Sequence, residues 1–256
     1  CRFLQKYNPR MFVFENVPAI RTAKGGRPYA DLQELVRGLG YEVDGHILLA
    51  SDYGVLQKRQ RMIIVGWKTR DENGHPTNYH YPELPKMENP YKVMNDLFCD
   101  LPKLKAGEGT LCGVVEYTKA LSKMKYLNDR EIYVWAIKKF LSQGKQISYD
   151  EIPPDHQKHK NKETFLNRFS VVNPDGCCHT VVAHIAMDGH YYIYPTPNPT
   201  VDIVRSISIR EAARLQSFPD DYFFEGSRSA AFKQIGNAVP VLLAEKIANE
   251  ILEQIQ

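Results

Sequence analysis

Near the end of the chain, Ser208 and Glu211 stand three residues apart, just ahead of Ala212-Ala213-Arg214-Leu215. That spacing makes a capping box: the Ser oxygen accepts from the backbone N–H of residue 211, the Glu carboxylate reaches back to the cap, and a helix must begin at Ile209. It should run to about Ser217, because Phe218 precedes Pro219 and the residue before a proline avoids helical geometry. A second helix is expected from near Val239, with Pro240 in its first turn and Leu243, Ile247, Ile251 and Ile255 as a buried stripe at fourfold spacing. Between these helices Gly236-Asn237 reads as a loop.

A chain of 256 residues with 43% apolar content can bury one or two cores, which excludes disordered and fibrous classes. No apolar run has the length of a membrane span and no cleavable leader is evident, so the expectation is a cytoplasmic protein with no membrane partner. The cysteines Cys1, Cys99, Cys112, Cys177 and Cys178 form no Cys-x-x-Cys pair and no zinc-spaced cluster, so neither metal site nor disulfide framework is expected. The net charge of +3 is compatible with a nucleic-acid partner but discriminates little.

From the start, Met11-Phe12-Val13-Phe14 has the composition of a buried parallel strand, and Glu15-Asn16-Val17-Pro18 stands at its carboxyl end, where open α/β sheets bind ligands. Alone, Glu15 reads equally well as a functional acid or as a solvated strand-end carboxylate. Pro28 should start a helix with Leu32, Leu35, Val36 and Leu39 on one face and Gly40 as a left-handed stop. Strands are expected over 42–50 and 62–67, with a turn at Asp52-Tyr53-Gly54. If Gln57-Lys58-Arg59-Gln60-Arg61 is extended, period two puts Gln57, Arg59 and Arg61 on one face and Lys58 and Gln60 on the other. The bland alternative is an exposed basic edge that resists aggregation.

Residues 70 to 90 lack periodicity and read as a connection. From Tyr117 to Ser170, Tyr117, Tyr126, Tyr133, Trp135, Phe140, Tyr149, Phe165 and Phe169 are interleaved with eleven Lys or Arg against six Asp or Glu. Basic residues among aromatics suggest a surface that faces nucleic acid, although a run such as Lys158-His159-Lys160-Asn161-Lys162 is equally well a solvated loop. Val181-Val182, Asp188-Gly189 and Tyr191-Tyr192-Ile193-Tyr194 read as a β-hairpin.

Taken together, these stretches resemble the cytosine-5 DNA methyltransferases. Arg210-Glu211-Ala212-Ala213-Arg214-Leu215-Gln216 with Phe218-Pro219, and Gly236-Asn237 with Val239-Pro240, match the last two family blocks. Glu15-Asn16-Val17 and Asp52-Tyr53-Gly54 with Gln57, Arg59 and Arg61 match two earlier ones, and Thr180 lies in a stretch similar to the end of family recognition domains. The resemblance implies a flipped cytosine attacked at C6 by a cysteine thiolate and methylated at C5 from S-adenosylmethionine. It gives Glu15 the N3 and N4 edge of the base, Arg59 and Arg61 the O2 side or a nearby phosphate, Asn237 a cofactor contact, and Gln57, Thr180 and Arg205 contacts to double-stranded DNA.

Two family blocks are missing. No cysteine follows a proline, and no Phe-x-Gly-x-Gly cofactor loop follows a strand; Gly107-Glu108-Gly109 is a poor substitute, and Cys1 stands in a non-matching context. The expectation is therefore the carboxyl-terminal portion of a site-specific DNA cytosine-5 methyltransferase, inactive alone, whose partner is the missing amino-terminal portion. Its fold should be α/β: part of a Rossmann-like sheet with linker over 1–100, a mostly β target-recognition domain over 101–204, and a segment over 205–256 returning to the first domain. The alternatives are a DNA-binding or regulatory subunit without catalysis, and an RNA methyltransferase of the same family.

Overall fold

The computed structural model describes residues 1–105, 127–143, 147–157 and 169–256. Its principal elements are α1 (Arg2–Tyr7), β1 (Met11–Asn16), α2 (Arg27–Arg37), β2 (Tyr41–Leu49), β3 (Gln57–Lys58), β4 (Gln60–Lys68), α3 (Leu127–Gln143), β5 (Cys178–His179), α4 (Ile209–Leu215), α5 (Arg228–Asn237) and α6 (Val241–Ile255). The chain divides into two units, one of residues 1–89 with 239–256 and one of residues 90–238. Residues 205–238 cluster with the second unit, and 239–256 with the first.

The first unit is a layered α/β arrangement. β4 lies between β1 and β2, and both pairings are antiparallel. This corrects the expected parallel strand at Met11–Phe14: β1 has β4 on one side only, and Val13 and Phe14 stay exposed. Along β4, side chains alternate between two cores. Met62 and Ile64 pack with Val36 of α2 and with Tyr41 and Val43, while Ile63 and Val65 pack with Leu48, Tyr53, Val55 and the Leu243 and Ile247 stripe of α6. A central strand covered on both faces explains the unbroken Met62-Ile63-Ile64-Val65 run. α2 ends near its expected stop, and Gly40 has φ +82°, a conformation only glycine adopts without strain.

The second unit is not mostly β among the described residues; its longest element is α3, and β5 has two residues. Ile132, Tyr133, Ala136 and Ile137 of α3 form one apolar face against Ile147, Tyr149, Ile152, Phe169, Val171, Ile193 and Val204. The aromatics expected on a nucleic-acid surface are thus largely core: Tyr133, Tyr149 and Phe169 are buried, and Trp135 and Phe140 pack against them. Lys138 is exposed, and the half-buried Lys139 pairs with Glu151 at 3.2 Å. Tyr117, Tyr126, Phe165, the 107–109 Gly-Glu-Gly and the 158–162 lysine run lie outside the described residues.

The hairpin expected over 181–194 does not form. Tyr191–Tyr194 instead exchanges backbone hydrogen bonds with 170–172 and with 205–207, so distant segments outcompete the local pairing. Tyr192 joins the two stretches through its side chain instead: its hydroxyl donates to Thr180 O at 2.7 Å and accepts from Val182 N at 3.1 Å.

Candidate active site

Glu15 is the penultimate residue of β1 and Arg61 the second residue of β4. Because the strands run antiparallel, the end of one lies beside the start of the other, with Glu15 opposite Ile63. Opposed residues share a face, and so do residues two apart on one strand, so Glu15, Ile63 and Arg61 project the same way. Arg61 Nε lies 2.6 Å from Glu15 Oε1. The side chains remain 31% (Glu15) and 13% (Arg61) exposed, and Oε2 of Glu15 has no partner among the described residues. Burial lowers the Arg61 pKa from the usual guanidinium value, while the charge and hydrogen bonding of Glu15 oppose that shift. The guanidinium stays charged throughout the accessible pH range. Chemically, this is a partly exposed carboxyl group ion-paired through one oxygen, with no partner at the other among the described residues.

The stretch before β4 alternates in burial. Gln57 and Arg59 are fully buried, and Lys58 and Gln60 are exposed. Arg59 also anchors the backbone there, its carbonyl accepting from Ala50 N at 2.8 Å. The structure therefore brings Glu15 and Arg61 into contact and buries Arg59 two positions away; Gln57, expected at DNA, is equally enclosed.

In the second unit, Arg205 is also enclosed. Its Nη1 and Nη2 each donate to a different oxygen of Glu211 at 2.7 Å, and its guanidinium lies 4.1 Å from the Tyr194 ring centroid. Glu211 is at the same time the capping-box acid, accepting from Ser208 N at 2.6 Å while Ser208 Oγ accepts from Glu211 N. Further along α4, Arg214 reaches Asp100 and Asp220, and the buried Gln216 donates to Ile235 O at 2.8 Å near the end of α5. The last two helical residues of α5 are Gly236 and Asn237, read from sequence as a loop. A Cβ on Gly236 would fall 2.3 Å from the Val182 carbonyl carbon, so α5 lies directly against the backbone just after Thr180. Asn237 is exposed, and Thr180 is half-buried.

The sequence reading missed Gln216 as a joint between α4 and α5, because its partner is a main-chain carbonyl with no sequence signature. Among the described residues no group of three or more His, Cys, Asp or Glu side chains is placed to hold a metal, and no helix is long and apolar enough to cross a membrane.

The family model for C-5 cytosine-specific DNA methylases matches residues 1–253. The match starts upstream of Glu15-Asn16-Val17, the earliest block recognised in the sequence, and takes in Cys1. The type II methyltransferase M.Bpa9945I of Bacillus paralicheniformis is 36% identical over 99% of this chain and 62% of its own length. The type II methyltransferase M1.HphI of Haemophilus parahaemolyticus is 30% identical over 98% of this chain and 59% of its own length. The chain thus spans about three fifths of these curated relatives. Among solved structures, an Entamoeba histolytica methyltransferase, EhMeth, superposes with a TM-score of 0.58 at 11% identity, covering 97% of this chain and 64% of that one. At that identity the likeness shows the fold alone.

Proposed function

Because the chain belongs to the C-5 cytosine-specific DNA methylase family, we propose that it supplies the base-holding part of a site-specific DNA cytosine-5 methyltransferase of a restriction-modification system. The observation that carries this is the Glu15–Arg61 pair: a partly exposed carboxyl group ion-paired at Oε1 with a guanidinium and with no partner at Oε2 among the described residues. In this reading, Oε2 of Glu15 meets the N3 and N4 edge of a cytosine flipped out of double-stranded DNA, and offsets or protonates the charge that builds on the ring during attack at C6. Arg61 fixes the carboxyl orientation, and Arg59 supports the same stretch from below the surface. Thr180 stands on the DNA-facing segment that Gly236 holds against α5. The enclosed Gln57 and Arg205 act by positioning: Gln57 is buried in β3, just before β4, and Arg205 holds the acid that caps α4.

S-adenosylmethionine supplies the methyl group in this family. Asn237, exposed at the end of α5, is the one residue of this chain assigned to it, and a single exposed amide makes no cradle. The 256 residues contain neither Pro-Cys nor Phe-x-Gly-x-Gly. The thiolate and most of the cofactor site are thus assigned to sequence beyond these residues, and the chain alone is inactive.

The test is tritiated methyl transfer to plasmid DNA by the chain complemented with a polypeptide carrying the two missing blocks. Glu15→Gln should retain DNA binding and lose about 100-fold to 1000-fold in rate, the usual cost of removing one charge-stabilising donor. Full activity of that variant would return Glu15 to an ordinary strand-end carboxylate.

A further inference from the structure

Residues 180–182 belong to no helix or strand. Main chain outside a ladder is ordinarily among the looser parts of a fold. Here it is fixed by a side chain from further along the sequence. The Tyr192 hydroxyl donates to Thr180 O and accepts from Val182 N, so one oxygen holds both peptide planes that flank the buried Val181. A phenol suits this task because its single hydroxyl both donates and accepts.

Tyr192 is itself held. It is 2% exposed, and its ring stacks on that of His179 with centroids 4.7 Å apart and planes 20° from parallel. Its carbonyl accepts from Ile207 N at 2.9 Å, immediately before the Ser208 cap of α4. From α5, Gly236 lies against the Val182 carbonyl carbon and Ala183 N. Gln216 joins α4 to α5 through Ile235 O. The segment that carries Thr180 is thus tied twice to one helix pair, to the start of α4 through Tyr192 and to the end of α5 through Gly236.

We propose that Tyr192 is a positioning residue for target DNA, setting the main chain from which Thr180 meets the duplex. Tyr192 makes no DNA contact of its own, since its ring is enclosed and its hydroxyl is engaged as donor and as acceptor. A contact group fixed before binding avoids the ordering cost that a loose segment adds on association. The inference rests on the reading of Thr180 as a DNA contact and names what holds that contact in place.

The test is Tyr192→Phe, which removes one oxygen and keeps the ring. Its control is Tyr41→Phe: Tyr41 is also 2% exposed, and its hydroxyl likewise donates to a main-chain carbonyl, that of Pro9, at 2.7 Å. The two variants should lose similar stability in urea, each having lost one buried hydroxyl. In filter binding of the full 256-residue chain to labelled plasmid fragments, Tyr192→Phe should raise the dissociation constant about tenfold, and Tyr41→Phe should leave it unchanged. With the missing blocks supplied and DNA saturating, kcat of Tyr192→Phe should stay within about twofold of the parent, since the loss falls on binding and not on the chemical step. Amide exchange at Val182 should quicken in Tyr192→Phe and not in Tyr41→Phe. Equal weakening of DNA binding in both variants would make Tyr192 an ordinary core tyrosine and overturn the proposal, and so would native exchange at Val182 in Tyr192→Phe. Normal binding by Tyr192→Phe beside weakened binding by Thr180→Ala overturns the inference and leaves Thr180 at the DNA. Normal binding by both removes Thr180 from the DNA, and the inference falls with that reading. If the complemented parent chain transfers no methyl group, the proposed function fails, while the dissociation constants still decide this inference.

Discussion

Each unit contains an arginine–glutamate pair, and the two pairs are built to opposite ends. Arg205 and Glu211 are 7% and 2% exposed, joined by two hydrogen bonds, with the carboxylate also bound to a backbone N–H. Both oxygens of Glu211 are taken up by donors of its own fold, three in all. Arg61 and Glu15 meet through one oxygen at the end of a strand, and the other oxygen has no partner among the described residues. A buried carboxylate must be fully satisfied because leaving it otherwise is costly, whereas a partly exposed one can be left incomplete until a substrate arrives. The same two residue types therefore make a brace in one unit and a candidate catalytic group in the other.

The strongest way to break this comparison is at the brace. Glu211→Ala leaves Arg205 buried without its counter-charge and removes half of the capping box, so unfolding free energy should fall by about 3–5 kcal/mol. A urea titration followed by circular dichroism measures it; a variant of native stability would mean that Arg205 and Glu211 do not brace the fold. Glu15→Gln, by contrast, should cost less free energy than Glu211→Ala, because the Glu15 side chain keeps 31% of its surface in solvent, against 2% for Glu211, and the amide still fills the same space. Its large loss belongs to methyl transfer, and a large loss of stability instead would make both pairs structural.

A third arginine sharpens the contrast between closed and open pairs. Hydrogen bonding from Arg214 holds the carboxyls of Asp220 and Asp100 below the ordinary carboxylate range, although both side chains are mostly exposed. A carboxylate with a depressed folded pKa stabilises the fold fully above its unfolded value of about 3.9, and that stabilisation disappears as pH falls through the folded pKa. Urea midpoints measured from pH 6 down to pH 2 should therefore decline at the acid end, and Arg214→Met should flatten that decline. An unchanged acid limb in Arg214→Met would remove the arginine as its cause. The smallest effect is expected at Lys58, exposed between the buried Gln57 and Arg59. Lys58→Ala should shift stability by about 0.5 kcal/mol or less and leave complemented methyl transfer intact. Damage comparable to that of Glu15→Gln would contradict the alternation that separates the two faces of this stretch.

Where local chemistry is sufficient, the sequence could be read directly. The Ser208–Glu211 box, the left-handed stop at Gly40, the α6 stripe and the two-residue alternation from Gln57 to Arg61 all depend on atoms within a few residues of one another. Even there the reading failed where local signals were weak: α5 carries no strong stripe, so its last turn, Gly236-Asn237, passed for a loop. The aromatics between 117 and 170 looked like a surface because lysines are interleaved with them, and only packing reveals that one helical face turns Ile132, Tyr133, Ala136 and Ile137 inward.

The capping box of α4, the stop after α2, the α6 stripe, the family blocks and the face on which Arg61 stands are thus legible in the residues alone. The tertiary structure decided strand direction, which an apolar run leaves open because hydrophobicity carries no information about the partner's polarity. It decided that Glu15 and Arg61, forty-six positions apart, meet, through the antiparallel register of β1 and β4. It also decided which glutamate is used up and which is left open. Charge and residue type are properties of the chain, but whether a carboxylate retains a free oxygen depends on how many donors the fold brings within hydrogen-bonding distance.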